Sequence, residues 1–168
     1  MIIEDFLVIN ENGLYCRFGD FYIDPLKPVG TAIISHAHGD HAVKGNSNIY
    51  CTAPTQSIMV HRYQKNAGKN FIIHSFGTSF TLRGIKITFF PAGHIIGSCQ
   101  ILMEYQAIRY LYTGDYKLQK DTTCEPIIFV TADVLITETT FANPSIQHPD
   151  AGEEIQKLNL FNHNVLLG

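Results

Sequence analysis

A chain of 168 residues with 45% hydrophobic content can close one core without disulfide staples. Its 12 Lys and Arg against 15 Asp and Glu leave a formal charge of −3, which excludes a global positive field for polyanions and a basic face for membranes, so any phosphate affinity has to be local. The opening MIIEDFLVIN is interrupted by Glu4 and Asp5 and lacks a basic start, no run is long enough to span a bilayer, and Cys16, Cys51, Cys99 and Cys124 are scattered without a C-x-x-C pair. Reduced core thiols and a cytoplasmic location are expected.

Short apolar runs separated by turn residues come first: FLVIN, a turn at Glu11-Asn12-Gly13, LYCRF, a turn at Gly19-Asp20, and FYID ending at Pro25. They predict a β meander. After Pro28 and Gly30, TAIIS is almost wholly apolar, as a central strand buried on both faces would be, and it delivers His36 at its end. Residues 55–66 predict a helix, with Gly68 as the left-handed residue that ends it. FIIHSF, SFTLR, IKITFFPA, SCQILMEY and AIRYLYTGD follow as strands, with turns at Arg83-Gly84 and Gln106-Ala107. VLITETTF reads as one more buried strand, and 150–161 as an amphipathic helix capped by Asp150 with Glu153 in capping-box position. An apolar, strand-like run over 164–168 then stops without a turn. It predicts an exposed edge prone to homodimerisation and a longer relative that continues beyond it.

The chemistry is concentrated in His36-Ala37-His38-Gly39-Asp40-His41, four metal-ligand side chains within six residues directly after a buried strand. Zinc takes imidazole nitrogen and carboxylate oxygen at about 2.0–2.2 Å, so its ligands must converge, and a tight loop with Gly39 brings them together. His36 and His38 can face one ion while Asp40 and His41 face another, as a two-metal hydrolytic centre requires. A solvated histidine-rich loop is the bland alternative, and it would not need the apolar strand in front of it. Two later segments add to the set. His94 stands between glycines in Ala92-Gly93-His94-Ile95-Ile96-Gly97-Ser98 after IKITFF, and Asp115 ends an apolar strand in Tyr112-Thr113-Gly114-Asp115. Each candidate ligand is therefore expected at the carboxyl end of a strand.

These three motifs resemble those of the metallo-β-lactamase superfamily, which implies an α/β fold (α+β by some schemes), an αββα sandwich with a dinuclear centre at one rim. The resemblance implies His36, His38 and His94 on a first ion, Asp40 and His41 on a second, and Asp115 bridging them, with a water between the ions as nucleophile and Asp40 orienting it. A divalent cation can lower the pKa of bound water from 15.7 to roughly 7. Zinc is expected, one ion or two, with manganese as the alternative.

The segment Ala132-Asp133-Val134-Leu135-Ile136-Thr137-Glu138-Thr139-Thr140-Phe141 resembles the acidic motif that opens the β-CASP region of nucleases, which makes Glu138 a candidate catalytic carboxylate. The stretch Tyr112-Thr113-Gly114-Asp115-Tyr116-Lys117-Leu118-Gln119 resembles exonuclease-like members associated with DNA ligase, and the likeness to mRNA 3′-end processing factors points the same way. A nucleic acid substrate, DNA or RNA, is implied. Full members carry further histidines and an inserted β-CASP domain downstream. The expectation is that 1–168 forms the amino-terminal portion of a metallo-β-lactamase domain, incomplete at its carboxyl end, with a second metal site short of one ligand. His61, His74, His148 and His163 read as ordinary helix, strand or surface histidines. Two other functions remain open: a hydrolase of a non-nucleic-acid ester or thioester on the same fold, and a catalytically silent metal-binding chain.

Overall fold

The computed structural model describes residues 2–140, 143–145 and 149–160. It divides into two units, Met1–Glu138 and Thr139–Gly168. The first unit is built on two sheets. The first sheet runs β1 (Leu7–Asn10), β2 (Gly13–Cys16), β3 (Phe21–Ile23), β4 (Thr31–Ile33), β5 (Asn46–Cys51) and β6 (Gly68–Ile73) in sequence order. Its first three strands pair antiparallel, which is the meander the turns at Gly13 and Asp20 require, and the rest pair parallel. The second sheet orders β11 (Val134–Ile136), β10 (Ile108–Tyr112), β9 (Cys99–Tyr105), β8 (Ile85–Pro91) and β7 (Ser79–Leu82). Positive φ at both Arg83 and Gly84, and at both Gln106 and Ala107, gives the two-residue hairpins whose twist suits antiparallel strands.

The sheets face each other across one core. Phe21, Ile23 and Ile33 from the first meet Ile87, Phe89, Ile101, Met103 and Tyr110 from the second. On the other side of the first sheet, helix α1 (Ala53–Tyr63) buries Met59 against Ala32, Ile34, Ile49 and Cys51. Those two clusters make β4 a strand buried on both faces, as its lack of alternation predicts. The outer face of the second sheet is approached by the irregular segment after β10, where Gln100 Nε2 donates to Ile128 O at 2.7 Å. In the second unit, helix α2 (Ala151–Asn159) is capped by Asp150, whose Oδ1 accepts from Glu153 N at 3.1 Å.

Several expectations are corrected. Gly68 does not end the helix: α1 gives way to a 3₁₀ turn at Gln64–Asn66, and the left-handed residue is Gln64, with φ of 51°. Gly68 instead opens β6, where a Cβ would lie 2.3 Å from Ile49 Cδ1, so a larger residue would have to displace that side-chain tip. Among the described residues of VLITETTF the strand is a three-residue edge strand, and Leu135 at its centre is 61% exposed. Strand β5 is an addition to the sequence-based reading; its polar start, Asn46-Ser47-Asn48, hides it. All four cysteines are free, and Cys16, Cys51 and Cys99 are buried, but Cys124 is only partly so and is not a core residue. Phe141, His148, His163 and the apolar run at 164–168 lie outside the described residues, and with them the proposed dimerisation edge. Among the described residues no helix is long and apolar enough to cross a membrane.

Candidate metal centre

Parallel pairing decides where the chemistry goes. Ile23 of β3 lies opposite Ile33 of β4, so the next residue, Asp24, falls beside the tip of β4, where Ser35 and His36 leave the sheet. The second sheet reaches the same point through Cys99 N, which donates to Ser35 O at 2.8 Å. Gly114, with φ of 55°, lies so close that a Cβ there would be 3.0 Å from Ser35 Cβ. That close approach brings Asp115 against the loop that follows β4.

His36, His38, His94 and Asp115 converge, each offering one ligand atom within 4.8 Å of all the others. His38 Nδ1 lies 3.1 Å from both His36 Nε2 and His94 Nε2, while Asp115 Oδ2 lies 3.8 Å from His36 Nε2 and 3.6 Å from His94 Nε2. Tetrahedral zinc with bonds of about 2.0–2.1 Å requires ligand-to-ligand edges of about 3.3 Å, which these separations bracket. Ser35 Oγ donates to Asp24 Oδ2 at 2.5 Å and so accepts from His36 Nδ1 at 3.0 Å, leaving His36 Nε2 as a bare lone pair. A proton on His38 Nδ1 could serve His36 or His94 but not both. A cation could take a lone pair from all three.

Electrostatics favour the neutral imidazole at His36 and His94 and the protonated one at His41. Burial, joined by the neighbouring imidazoles of His41, His38 and His94, pushes His36 down to about 2, so it is neutral at any ordinary pH. Burial lowers His94 as well, against the opposing pull of Asp115. At His41 burial also acts downward but is outweighed by the Asp24 hydrogen bond and by the charges of Asp24, Asp115 and Asp40, which raise it to about 8.

His41 sits at the second position. Its Nδ1 donates to Asp24 Oδ2 at 2.9 Å, which turns Nε2 toward Asp115 Oδ1 at 3.4 Å and Asp40 Oδ2 at 3.7 Å. Asp40 itself is 81% exposed, so this second group is more open than the first. Glu138 stands outside the converging set. Its Oε1 accepts from Tyr116 N at 3.1 Å, fastening the chain just past Asp115, and its charge acts on His94. His61 is exposed on α1. His74 is stacked on Phe80 at 3.5 Å between centroids, remote from the cluster in its contacts, and its buried Nε2 has no hydrogen-bond partner among the described residues.

Sequence reasoning missed the groups that hold the ligands in place. Asp24 accepts from Ser35 N at 2.7 Å, Ser35 Oγ, His41 Nδ1 and, at 3.0 Å, Tyr112 OH. Arg62 Nη1 donates to Ala37 O at 2.6 Å, tying α1 to the peptide between His36 and His38. The His94 loop is pinned by Ser98 Oγ, which accepts from His94 N and Ile95 N, and by Thr52 Oγ1, which donates to Gly97 O at 2.7 Å. The available signal for Asp24 was its place at a strand's carboxyl end, the same position as each predicted ligand.

No family model matches the chain. Among curated proteins it is similar to a "Probable DNA ligase" of Opitutus terrae, 32% identical over 93% of this chain and 15% of that protein. It is also similar to an "RNase J-like protein" of Methanocaldococcus jannaschii, 31% identical over 70% of this chain and 33% of that one, and to "Endoribonuclease ysh1" of Emericella nidulans, 30% identical over 69% and 17%. The chain is a relative of the metallo-β-lactamase, β-CASP nuclease-like proteins. This metallo-β-lactamase-like chain spans a third or less of the length of those relatives.

Proposed function

We propose that the chain is a metal-dependent hydrolase that cleaves phosphodiester bonds of DNA or RNA. The observation that supports this most directly is the convergence of three imidazole nitrogens and one carboxylate on a single point, with His41 and Asp40 beside it. His36, His38, His94 and Asp115 would hold a first divalent ion, and His41 and Asp40, with Asp115 shared, a second. Three nitrogen donors and an oxygen suit zinc, and the more open second position suits weaker occupancy, with manganese as a substitute. When bound, such ions supply a nucleophile at neutral pH and offset charge on phosphoryl oxygens.

The chain's own groups prepare that chemistry. Asp24 and Ser35 fix the tautomer of His36, and Asp24 fixes that of His41, so that both Nε2 atoms face the centre unprotonated when loaded. Asp115 presents both oxygens, one toward His36 and His94 and the other toward His41. Asp40, exposed at the rim, is placed to orient an incoming water or take its proton. Glu138 acts as a positioning carboxylate behind Asp115 through Tyr116 N. A longer protein, with 1–168 as its metal-binding portion and a separate nucleic-acid clamp, fits the small fraction of the relatives' length that the chain spans. Four free thiols favour a reducing, cytoplasmic setting.

The reading is tested by incubating a labelled single-stranded oligonucleotide with zinc- or manganese-loaded protein. Cleavage is expected for the parent and its loss for His36→Ala and Asp115→Ala. Equal cleavage by parent and variants would place the activity elsewhere.

A further inference from the structure

The described cations are unevenly used. Arg17, Arg83, Lys86, Lys117 and Lys157 each sit in an ion pair with a carboxylate. Lys44, Lys65 and Lys69 have no acidic partner within 4.0 Å among the described residues. All three line one open groove of about 500 Å³ with Pro28, Gly45, Asn66 and Gly68, and no carboxylate is among the lining residues. The sequence does not place them together. Lys44 precedes β5, whereas Lys65 and Lys69 flank the start of β6, and it is the parallel register, Asn46 opposite Gly68, that closes the gap. Gly45 N donates to Ala67 O at 3.2 Å and holds the two loops edge to edge. Lys27, exposed and next to Pro28 in the chain, adds a fourth charge nearby.

Three lysines with no carboxylate among the lining residues give this groove a local positive potential in a chain of net charge −3, and that potential favours an anion. The groove lies at the amino ends of β5 and β6, whereas His36 follows the carboxyl end of the parallel β4, so it is a separate surface from the metal centre. Its lining offers lysines, the Asn66 amide and backbone, but no aromatic face for a base to stack on. That chemistry suits a phosphate backbone read without regard to sequence. We propose that this groove is an anchoring site for the phosphodiester backbone of nucleic acid, at a distance from the bond to be cut. The ligand class rests on the nuclease reading above; the residues do not overlap with it. The groove raises local affinity in a chain whose overall charge opposes it.

The test is fluorescence anisotropy of a short fluorescein-labelled phosphorothioate oligothymidylate against the zinc-loaded 168-residue chain across a salt series, comparing the parent with K44Q/K65Q/K69Q. Three lost phosphate contacts should reduce the slope of log affinity against log salt by about 2, at roughly 0.7 per contact on a single strand. Lys120→Gln, an exposed lysine outside the groove, should leave the slope unchanged, and equal zinc content and thermal unfolding would show that the triple variant is folded. A slope identical in parent and triple variant overturns the proposal, as does an equal reduction in the Lys120 variant. The two readings fail separately: absence of cleavage in every protein with the slope difference intact sinks the catalytic reading alone, and cleavage with no slope difference sinks the groove alone.

Discussion

Both oxygens of Asp24 are committed to donors: Ser35 N on one, and Ser35 Oγ, His41 Nδ1 and Tyr112 OH on the other. Asp24→Asn keeps the shape but places an NH₂ where an acceptor is needed, so the tautomers of His36 and His41 are no longer dictated. Zinc affinity, measured by competition with a chromophoric chelator, is expected to fall about 10- to 100-fold while the circular dichroism of the sheets is retained. Unchanged affinity would remove Asp24 from the centre. At this scale the convergence of His36, His38, His94 and Asp115 was legible in the sequence, because histidines and a carboxylate placed after apolar strands form a conspicuous pattern. Asp24 was not, because an acidic residue before Pro25 is also what an ordinary turn contains. Only the strand register distinguishes the two.

The ligand loops depend on the elements that brace them. At Gly97, with φ of 77°, a Cβ would stand 2.7 Å from both Pro54 Cβ and Thr52 Oγ1 at the start of α1. Gly97→Ala therefore combines backbone strain with a clash against a helix end and should push the His94 loop outward. Weaker zinc binding with Lys and Arg surface chemistry untouched is the expected result, read by the same chelator competition; wild-type affinity would show that the loop tolerates the shift. The strands bounded by Arg83-Gly84 could be read from the sequence because a glycine turn and the alternation of Ile85-Lys86-Ile87-Thr88 agree there, whereas Gln106-Ala107 shows only as a break between two apolar runs. β5 could not, since its first three residues are polar and its place comes from pairing with β4 and β6. The short, exposed β11 shows the opposite error: an apolar run looks like a buried strand whether or not anything covers it.

Across the whole molecule, burial predicts which thiols react. Burial pushes Cys16 up to about 11 and Cys51 to about 12, and raises Cys99 well above the ordinary thiol range. Cys124 is also raised, chiefly by burial, but it remains partly accessible. A colorimetric thiol reagent at mildly alkaline pH should modify Cys124 alone in the folded chain and all four after denaturation, as peptide mapping would report. Early modification of Cys99 would mean that the two sheets open readily.

That possibility bears on the origin of the candidate ligands. His36, His38 and His41 depart from the first sheet at β4, whereas His94 and Asp115 depart from the second at β8 and β10. A cation gripped by both groups is a rivet through the seam between two layers that otherwise adhere by apolar contact and a few hydrogen bonds. Adding zinc should slow amide exchange in both layers together, reaching strands such as β2 and β9 that donate no ligand. Protection confined to the loops would mean that the layers are already locked without it.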